Sequence, residues 1–219
     1  NSFAAIKKLV FDDKTITMAK LIEACKINFE GMEELRQTLI NKAPKYGNDD
    51  DYVDALTSEV HVRTSEKVME SAKDFWGYPF YLDASIAGGY FSTSILTGAI
   101  PDGKKDGEPT SDASHSPSAG TDRKGPTALL KSVSKIPYTY HALLNQKFLP
   151  SFLEGKNKQK FAQYLKTWHD LNIGQIQFNV VDKATLQNAQ AHPDEYSNLI
   201  VRVAGYSAYF IDLAKPLQD

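Results

Sequence analysis

Apolar residues recur at spacings of three and four along the first third of the chain, as on one face of a helix. The first such stripe consists of Met18, Leu21, Ile22, Cys25 and Phe29. Gly31 interrupts it, and a second stripe spans residues 32–40. In the turn that follows, Asn48 or Asp49 is expected to cap the next helix. The pattern predicts that residues 1–76 are helical, with the last helix reaching about Phe75.

The middle of the chain is less regular. Aromatic and β-branched residues from Tyr78 to Leu96 favour a strand-like segment. Residues 97–126 contain so many glycines and prolines that no regular element is expected there. An irregular stretch of this length is usually either disordered or functional. A helix is then predicted for Thr127–Ile136, with Pro126 in its first turn.

The last third alternates between strand and helix patterns. An amphipathic helix is expected from Phe161 to Leu171, followed by a strand over residues 175–181. A short helix over residues 184–191 and a strand over residues 199–203 come next. Strands and helices in this order predict an α/β architecture.

Composition narrows the class of protein. The chain has 219 residues, 42% of them hydrophobic, and a net charge of −2, which favours neither nucleic acid nor an anionic membrane as partner. No apolar run approaches the roughly 20 residues that span a bilayer. One cysteine and five scattered histidines predict no disulfide and no metal site, and indicate a cytoplasmic protein. Because Cys25 lies on an apolar stripe, we expect an unreactive thiol.

The most informative string is RVAGYSAYF, residues 202–210. By itself, a glycine after a strand is an ordinary turn residue. Three further strings accompany it: KYGNDDDYVD at 45–54, PDGKKDGEP at 101–109 and QFNVV at 177–181. With these four strings in this order, essentially the whole chain resembles the glycyl radical enzymes, which are pyruvate formate-lyase-like proteins.

The resemblance implies that Gly205 is the catalytic residue that stores an organic radical. The accompanying loop motif is Arg202, Val203, Ala204, Tyr206 and Ser207. Glycine suits this role because a radical at Cα is stabilised when the carbon flattens between two amides, and glycine has no Cβ to hinder that change.

The resemblance also implies partners and a fold. A radical-SAM activating enzyme, which uses S-adenosylmethionine and an iron–sulfur cluster, would install the radical. The radical would then pass to a cysteine in a Gly-Cys-Val-Glu-like string, which this chain lacks. We therefore expect a fragment of about a quarter of a parent enzyme, inactive alone and homodimeric when complete. It would hold the C-terminal part of a ten-stranded α/β barrel, in residues 1–134, and a glycyl radical domain, in residues 135–219.

Ala204 and the pair Ser207-Ala208 resemble the dehydratase, decarboxylase and carbon–nitrogen or carbon–sulfur lyase branch of the family. The loop with Ser116, Pro117 and Ser118 is expected either to line the pocket for a small-molecule substrate or only to close the barrel. Alternatives are a stand-alone radical subunit that replaces a damaged glycine loop, and pyruvate formate-lyase itself. A non-enzymatic helical interaction domain is the alternative from another class.

Overall fold

The fold is known from a computed structural model. It describes residues 1–80, 94, 96–140, 143–203 and 206–218. Two predictions from the sequence concern residues outside this set. Most of the strand-like segment from Tyr78 to Leu96 lies there, as do Ala204 and Gly205 of the glycine string.

Three short helical segments form the N-terminal part. Helix α1 (Ser2–Ala5) continues as a π-helical turn (Ile6–Asp12), and helices α2 (Met18–Lys26) and α3 (Glu33–Lys42) follow. Their apolar faces meet in an N-terminal core, which consists of Ala5, Leu9, Leu21, Ala24, Phe29, Leu35, Leu39 and Ala43. Leu21 and Phe29 of the first predicted stripe are buried, and Met18 and Cys25 pack against this core, but Ile22 is 48% exposed, so the prediction is wrong at that residue.

Helix α4 (Asp51–Ser71) differs from the prediction at both ends. Its cap is Asp50, whose carboxylate accepts the Tyr52 N–H at 3.0 Å, so the expected cap at Asn48 or Asp49 is wrong. The helix ends at Ser71 rather than Phe75 because Asp74 accepts the N–H groups of Trp76 and Tyr78 and closes a turn there. A side chain that competes for backbone donors is a common reason for a helix to stop.

The middle region is irregular, as expected. Ser94 and Leu96 are helical, so the strand prediction is wrong at these two positions. Residues 97–125 contain no helix or strand and form one isolated bridge, between Ser111 and Ser118. Helix α5 (Pro126–Ser134) begins with Pro126 in its first turn, which confirms that prediction.

A parallel β–α–β unit follows. It consists of strand β1 (Leu143–Phe148), helix α6 (Asn157–Asp170) and strand β2 (Gln175–Val180), with Asn145 opposite Gln177. The apolar face of the two strands packs against α6 in a central core, whose buried members include Leu144, Phe148 and Tyr164. This unit confirms the α/β class. Short 3₁₀ turns lie at Tyr138–Tyr140 and Pro150–Leu153.

The C-terminal part has a small core of its own. Its elements are helix α7 (Lys183–Ala191), a 3₁₀ turn (Pro193–Tyr196), strands β3 (Ile200–Arg202) and β4 (Ser207–Tyr209), a second 3₁₀ turn (Phe210–Asp212) and helix α8 (Lys215–Gln218). Ala189, Val201 and Phe210 are its buried apolar centre. The two strands form an antiparallel hairpin that carries the glycine string.

Candidate radical site and substrate cleft

The glycine string lies on the β3–β4 hairpin. Arg202 is paired with Ser207, and the Val203 N–H donates to the Tyr206 carbonyl at 3.0 Å. The two residues between Val203 and Tyr206, Ala204 and Gly205, lie outside the described residues. Because the chain on both sides of the glycine is paired, the backbone enters and leaves it through one ordered hairpin.

The structure brings several of the predicted motif residues together. The Arg202 guanidinium donates through Nη1 to the Ser207 hydroxyl at 3.2 Å. Val203 joins the small C-terminal core as a partly buried residue. Tyr206, in contrast, is 43% exposed. Val201, on one face of the hairpin, is buried, whereas Ile200 and Tyr209, which are paired on the other face, are 59% and 46% exposed.

Two amide side chains from β2 reach the same hairpin. Gln177 accepts from the Arg202 Nε at 3.1 Å, and the Asn179 Nδ2 donates to the Arg202 carbonyl at 2.9 Å. Sequence reasoning singled out the string that contains them without giving it a role. These contacts are hydrogen bonds of amides and a guanidinium, with no carboxyl or imidazole group among them. The arrangement suits holding a backbone in place better than acid–base chemistry.

A cleft of about 580 Å³ lies between the irregular loop and β1. Ser116, Pro117 and Ser118, which were predicted as pocket residues, all line it. The Ser116 hydroxyl accepts the Asn145 N–H at 3.0 Å, so this loop is fastened to β1. Within the cleft wall, the Asp112 carboxylate lies 3.2 Å from the Lys147 ammonium, so the negative charge of one offsets the positive charge of the other.

In the KYGNDDDYVD string, the side chain of Asn48 makes hydrogen bonds that hold the irregular loop. The Asn48 side chain donates to the carbonyls of Lys45 and Thr121 and accepts the N–H groups of Arg123 and Lys124. These four bonds use all of its hydrogen-bonding capacity. Asn48 therefore fixes the shape of the loop that lines the cleft, a role that its position before a helix did not suggest.

Gly47, beside Asn48, also serves this loop. Its φ is +93°, and a Cβ there would lie 3.1 Å from Pro117 and 3.3 Å from Leu129. A larger residue would therefore be strained and would push the cleft loop away from α5.

The PDGKKDGEP string is anchored in a similar way from α3. The Arg36 Nε donates to the Gly103 carbonyl at 2.8 Å, and its Nη2 donates to the Glu108 carboxylate at 3.1 Å. A Cβ on Gly103 would lie 2.6 Å from Ile40, so the close approach of the loop to α3 requires glycine. Both family strings thus hold the irregular region in place.

A cluster of charges joins α4 to the end of α5. The Lys135 ammonium lies within 2.7–2.9 Å of carboxylate oxygens of Asp49, Asp51 and the fully buried Asp54. Burial alone would lower the pKa of Lys135, but its hydrogen bonds to the three carboxylates outweigh burial and raise that pKa. With Lys135 firmly protonated, this cluster fits a structural role.

The remaining candidates from the sequence are structural. Cys25 is half-buried against the N-terminal core, and burial raises the pKa of its thiol. Across the described part of the chain, no three His, Cys, Asp or Glu side chains converge as metal ligands. No helix described in the structure is both long and apolar enough to traverse a bilayer.

Two family models match the chain. The model for pyruvate formate lyase-like proteins matches residues 1–97, and the glycine radical model matches residues 112–211. The second match includes the whole hairpin and Gly205. The chain belongs to the glycyl radical enzyme family.

Its relatives in this family are lyases. The chain is 42% identical to isethionate sulfite-lyase of Bilophila wadsworthia and 39% identical to trans-4-hydroxy-L-proline dehydratase of Clostridioides difficile. Both matches cover 100% of this chain, but only 27% and 28% of the relatives. The chain thus spans a little over a quarter of the length of these relatives. They agree with the predicted branch of dehydratases, decarboxylases and related lyases.

Solved structures confirm the fold. The glycerol-bound form of the B12-independent glycerol dehydratase from Clostridium butyricum superposes with a TM-score of 0.93 at 41% identity. The match covers 99% of this chain and 28% of that one. The described helices and strands therefore have the arrangement of the corresponding part of a glycyl radical enzyme.

Proposed function

We propose that this chain is the C-terminal part of a glycyl radical lyase and that Gly205 stores the radical. One observation carries the proposal: Gly205 belongs to a string matched by the glycine radical family model, and ordered, paired strands flank it. The hairpin and its small core supply a fixed support. Glycine suits the position because no Cβ opposes a flattened Cα.

The proposed chemistry moves single hydrogen atoms. A partner enzyme that uses S-adenosylmethionine and an iron–sulfur cluster takes one hydrogen atom from the Gly205 Cα. In the complete protein, a cysteine outside this chain returns a hydrogen atom to that carbon, and its sulfur in turn takes one from the substrate. The residues of this chain hold the backbone on both sides of the glycine. Without the cysteine, the chain should not turn over substrate.

The proposed substrate is a small polar molecule bound near the cleft lined by Ser116, Pro117 and Ser118. The relatives named above are a lyase of isethionate and dehydratases of hydroxyproline and glycerol, compounds that each carry a hydroxyl group. Hydroxyl and amide groups in the cleft wall can hydrogen-bond such a molecule, and the Asp112–Lys147 pair leaves that part of the wall without net charge.

We further propose that residues 1–134 belong to the barrel domain and residues 135–219 to the glycyl radical domain. The rest of a parent chain would then cover surfaces that are open here, such as Tyr206 and Tyr209, which are 43% and 46% exposed.

The complete enzyme would be a homodimer. A stand-alone radical subunit is the second candidate, favoured by the separate core of the C-terminal part. A Gly-Cys-Val-Glu-like string encoded upstream and in frame with this chain would favour the parent enzyme over the stand-alone subunit.

Anaerobic electron paramagnetic resonance tests the radical assignment. After treatment with an activating enzyme, the parent protein should give a doublet from the single remaining hydrogen on the glycine Cα. The doublet should be absent in Gly205→Ala and retained in Gly98→Ala, a control position without positive φ where an added Cβ would meet no atom within 4 Å. On exposure to air, the activated protein should be cut at Gly205, which mass spectrometry would detect. A parent protein that stays silent after activation would overturn the proposal, as would a doublet in Gly205→Ala.

A further inference from the structure

Strand β2 has two faces with opposite character. Ile176 and Phe178 point into the central core between the sheet and α6. Gln177 and Asn179 alternate with them, so they lie on the other face, toward the hairpin. Gln177 is only 8% exposed, an unusual burial for an amide unless it is hydrogen-bonded. Its bond to Arg202 supplies such a partner.

The two amides hold one residue of the hairpin at two points. Gln177 binds the side chain of Arg202, and Asn179 binds its main-chain carbonyl. A movement of β3 away from β2 would break both bonds, since β3 is paired with β4 and β2 with β1. Because the bond from the guanidinium is charge-assisted, it is stronger than one between neutral groups.

Apolar packing contributes little to the attachment of β3 to β2. The strand has three residues, and Ile200, at its start, is 59% exposed. Val201 packs with Ala189 and Phe210 in the small C-terminal core, and that core shares no residue with the central core. The apolar contacts of β3 thus join it to α7 and the chain end, whereas its attachment to β2 involves polar groups.

We propose that Gln177 and Asn179 are positioning residues that set the location of the glycine-bearing turn. They act through Arg202, three positions before Gly205, by anchoring β3, which is paired with β4, to the neighbouring strand β2. The functional meaning rests on the proposed radical role of Gly205, because Arg202 belongs to the strand that leads to this glycine. It also explains why the QFNVV string alternates amides with apolar residues.

Limited proteolysis of this chain tests the attachment without any radical. Trypsin cuts after arginine, so release of β3 should expose the bond between Arg202 and Val203. We expect cleavage there to be about tenfold faster in Gln177→Leu. Leucine has a side chain of similar volume but cannot accept the hydrogen bond from Arg202, and the loss of one charge-assisted bond corresponds to about this factor. Gln175→Leu is the matched control, because Gln175 is on the same face of β2 and exposed. It should be cut like the unaltered chain. Mass spectrometry of the fragment that begins at Val203 measures the rate.

A conservative variant separates positioning from general stability. In Gln177→Glu, the carboxylate can accept the same bond from Arg202 with an added opposite charge, so cleavage should be no faster than in the unaltered chain at pH 7. Amide exchange in β1 and β2 should be unchanged in all variants that fold. If Gln177→Leu does not fold, Asn179→Leu removes the second contact and gives the same comparison. Equal cleavage of Gln177→Leu and Gln175→Leu would overturn the proposal, and so would Gln177→Glu being cut as fast as Gln177→Leu.

The activated parent protein adds a spectroscopic measurement. The anaerobic doublet should decay several-fold faster in Gln177→Leu than in Gln175→Leu, because a loosely held hairpin exposes the radical to small reductants. Equal decay would contradict the positioning role. Absence of a doublet from the unaltered parent would count against the proposed function alone, since the proteolysis of this chain needs no radical.

Discussion

The β1–α6–β2 unit and the irregular loop over residues 97–125 are held in place by different forces. In the unit, the Phe148 ring lies 5.0–5.9 Å from four other aromatic rings, of Phe152, Phe161, Tyr164 and Phe178. In the loop, Arg36 and Asn48 reach across more than sixty residues to bind its backbone. Apolar packing is non-directional and supplies most of the stability, whereas hydrogen bonds to the backbone define a shape.

Truncation of Phe148 should have the largest effect on stability. Phe148→Ala removes a buried ring from the central core, and we expect the free energy of unfolding to fall by about 3–5 kcal/mol. Urea denaturation followed by circular dichroism would measure the loss. Phe11→Ala, at a residue that is 61% exposed, is the control and should cost far less. Similar losses at both positions would show that the aromatic core does not dominate the stability.

Truncation of Asn48 should have a smaller effect on stability and a larger one on shape. Asn48→Ala leaves the Lys45 carbonyl and three backbone groups of the loop, the Thr121 carbonyl and the N–H groups of Arg123 and Lys124, without this partner, at a cost of about 2 kcal/mol. Amide exchange at Arg123 and Lys124 should accelerate much more than exchange in β2. The exposed Asn188, which lies on α7 and not in the loop, provides the control Asn188→Ala. Unchanged exchange at Arg123 and Lys124 would contradict the role given to Asn48.

The smallest effect on the free energy of unfolding should come from the titration of Lys45, which lies near the loop. Burial lowers the pKa of the Lys45 ammonium to about 8, from 10.5 in the unfolded chain. Between these values the unfolded chain binds the extra proton, so this group adds stability as the pH rises from about 8 to about 10.5. Its hydrogen bonds to the carbonyls of Leu39 and Ala43 favour the charged form and limit the gain to about 1–2 kcal/mol.

Lys45→Met isolates that contribution. The difference in the free energy of unfolding between the unaltered chain and Lys45→Met should change with pH in this window and level off below pH 8. Thermal or urea denaturation at pH 7, 8, 9 and 10 would follow it. A difference that is constant across the four values would show that Lys45 has an ordinary pKa.

Several elements were predictable because their evidence is local. Helix α5, with Pro126 in its first turn, and strand β2 lie within a residue or two of the predicted bounds. Strand β1 was not predicted, because Asn145, Gln146 and Lys147 interrupt its apolar pattern. Lys147 and Gln146 have partners distant in sequence, namely Asp112 and Tyr164. The cap of α4 was misplaced for the same reason, since Asn48 is used by the loop.

The amino-acid sequence by itself determined the family, the α/β class and the identity of the proposed radical residue, because motif strings and apolar periodicity are properties of neighbouring residues. Only the tertiary structure decided what Asn48, Arg36, Gln177 and Asn179 do. Each of them binds a segment 23 or more residues away, through a few directional bonds. Such bonds leave no periodic pattern along the chain, because they depend on how separately formed elements meet in space.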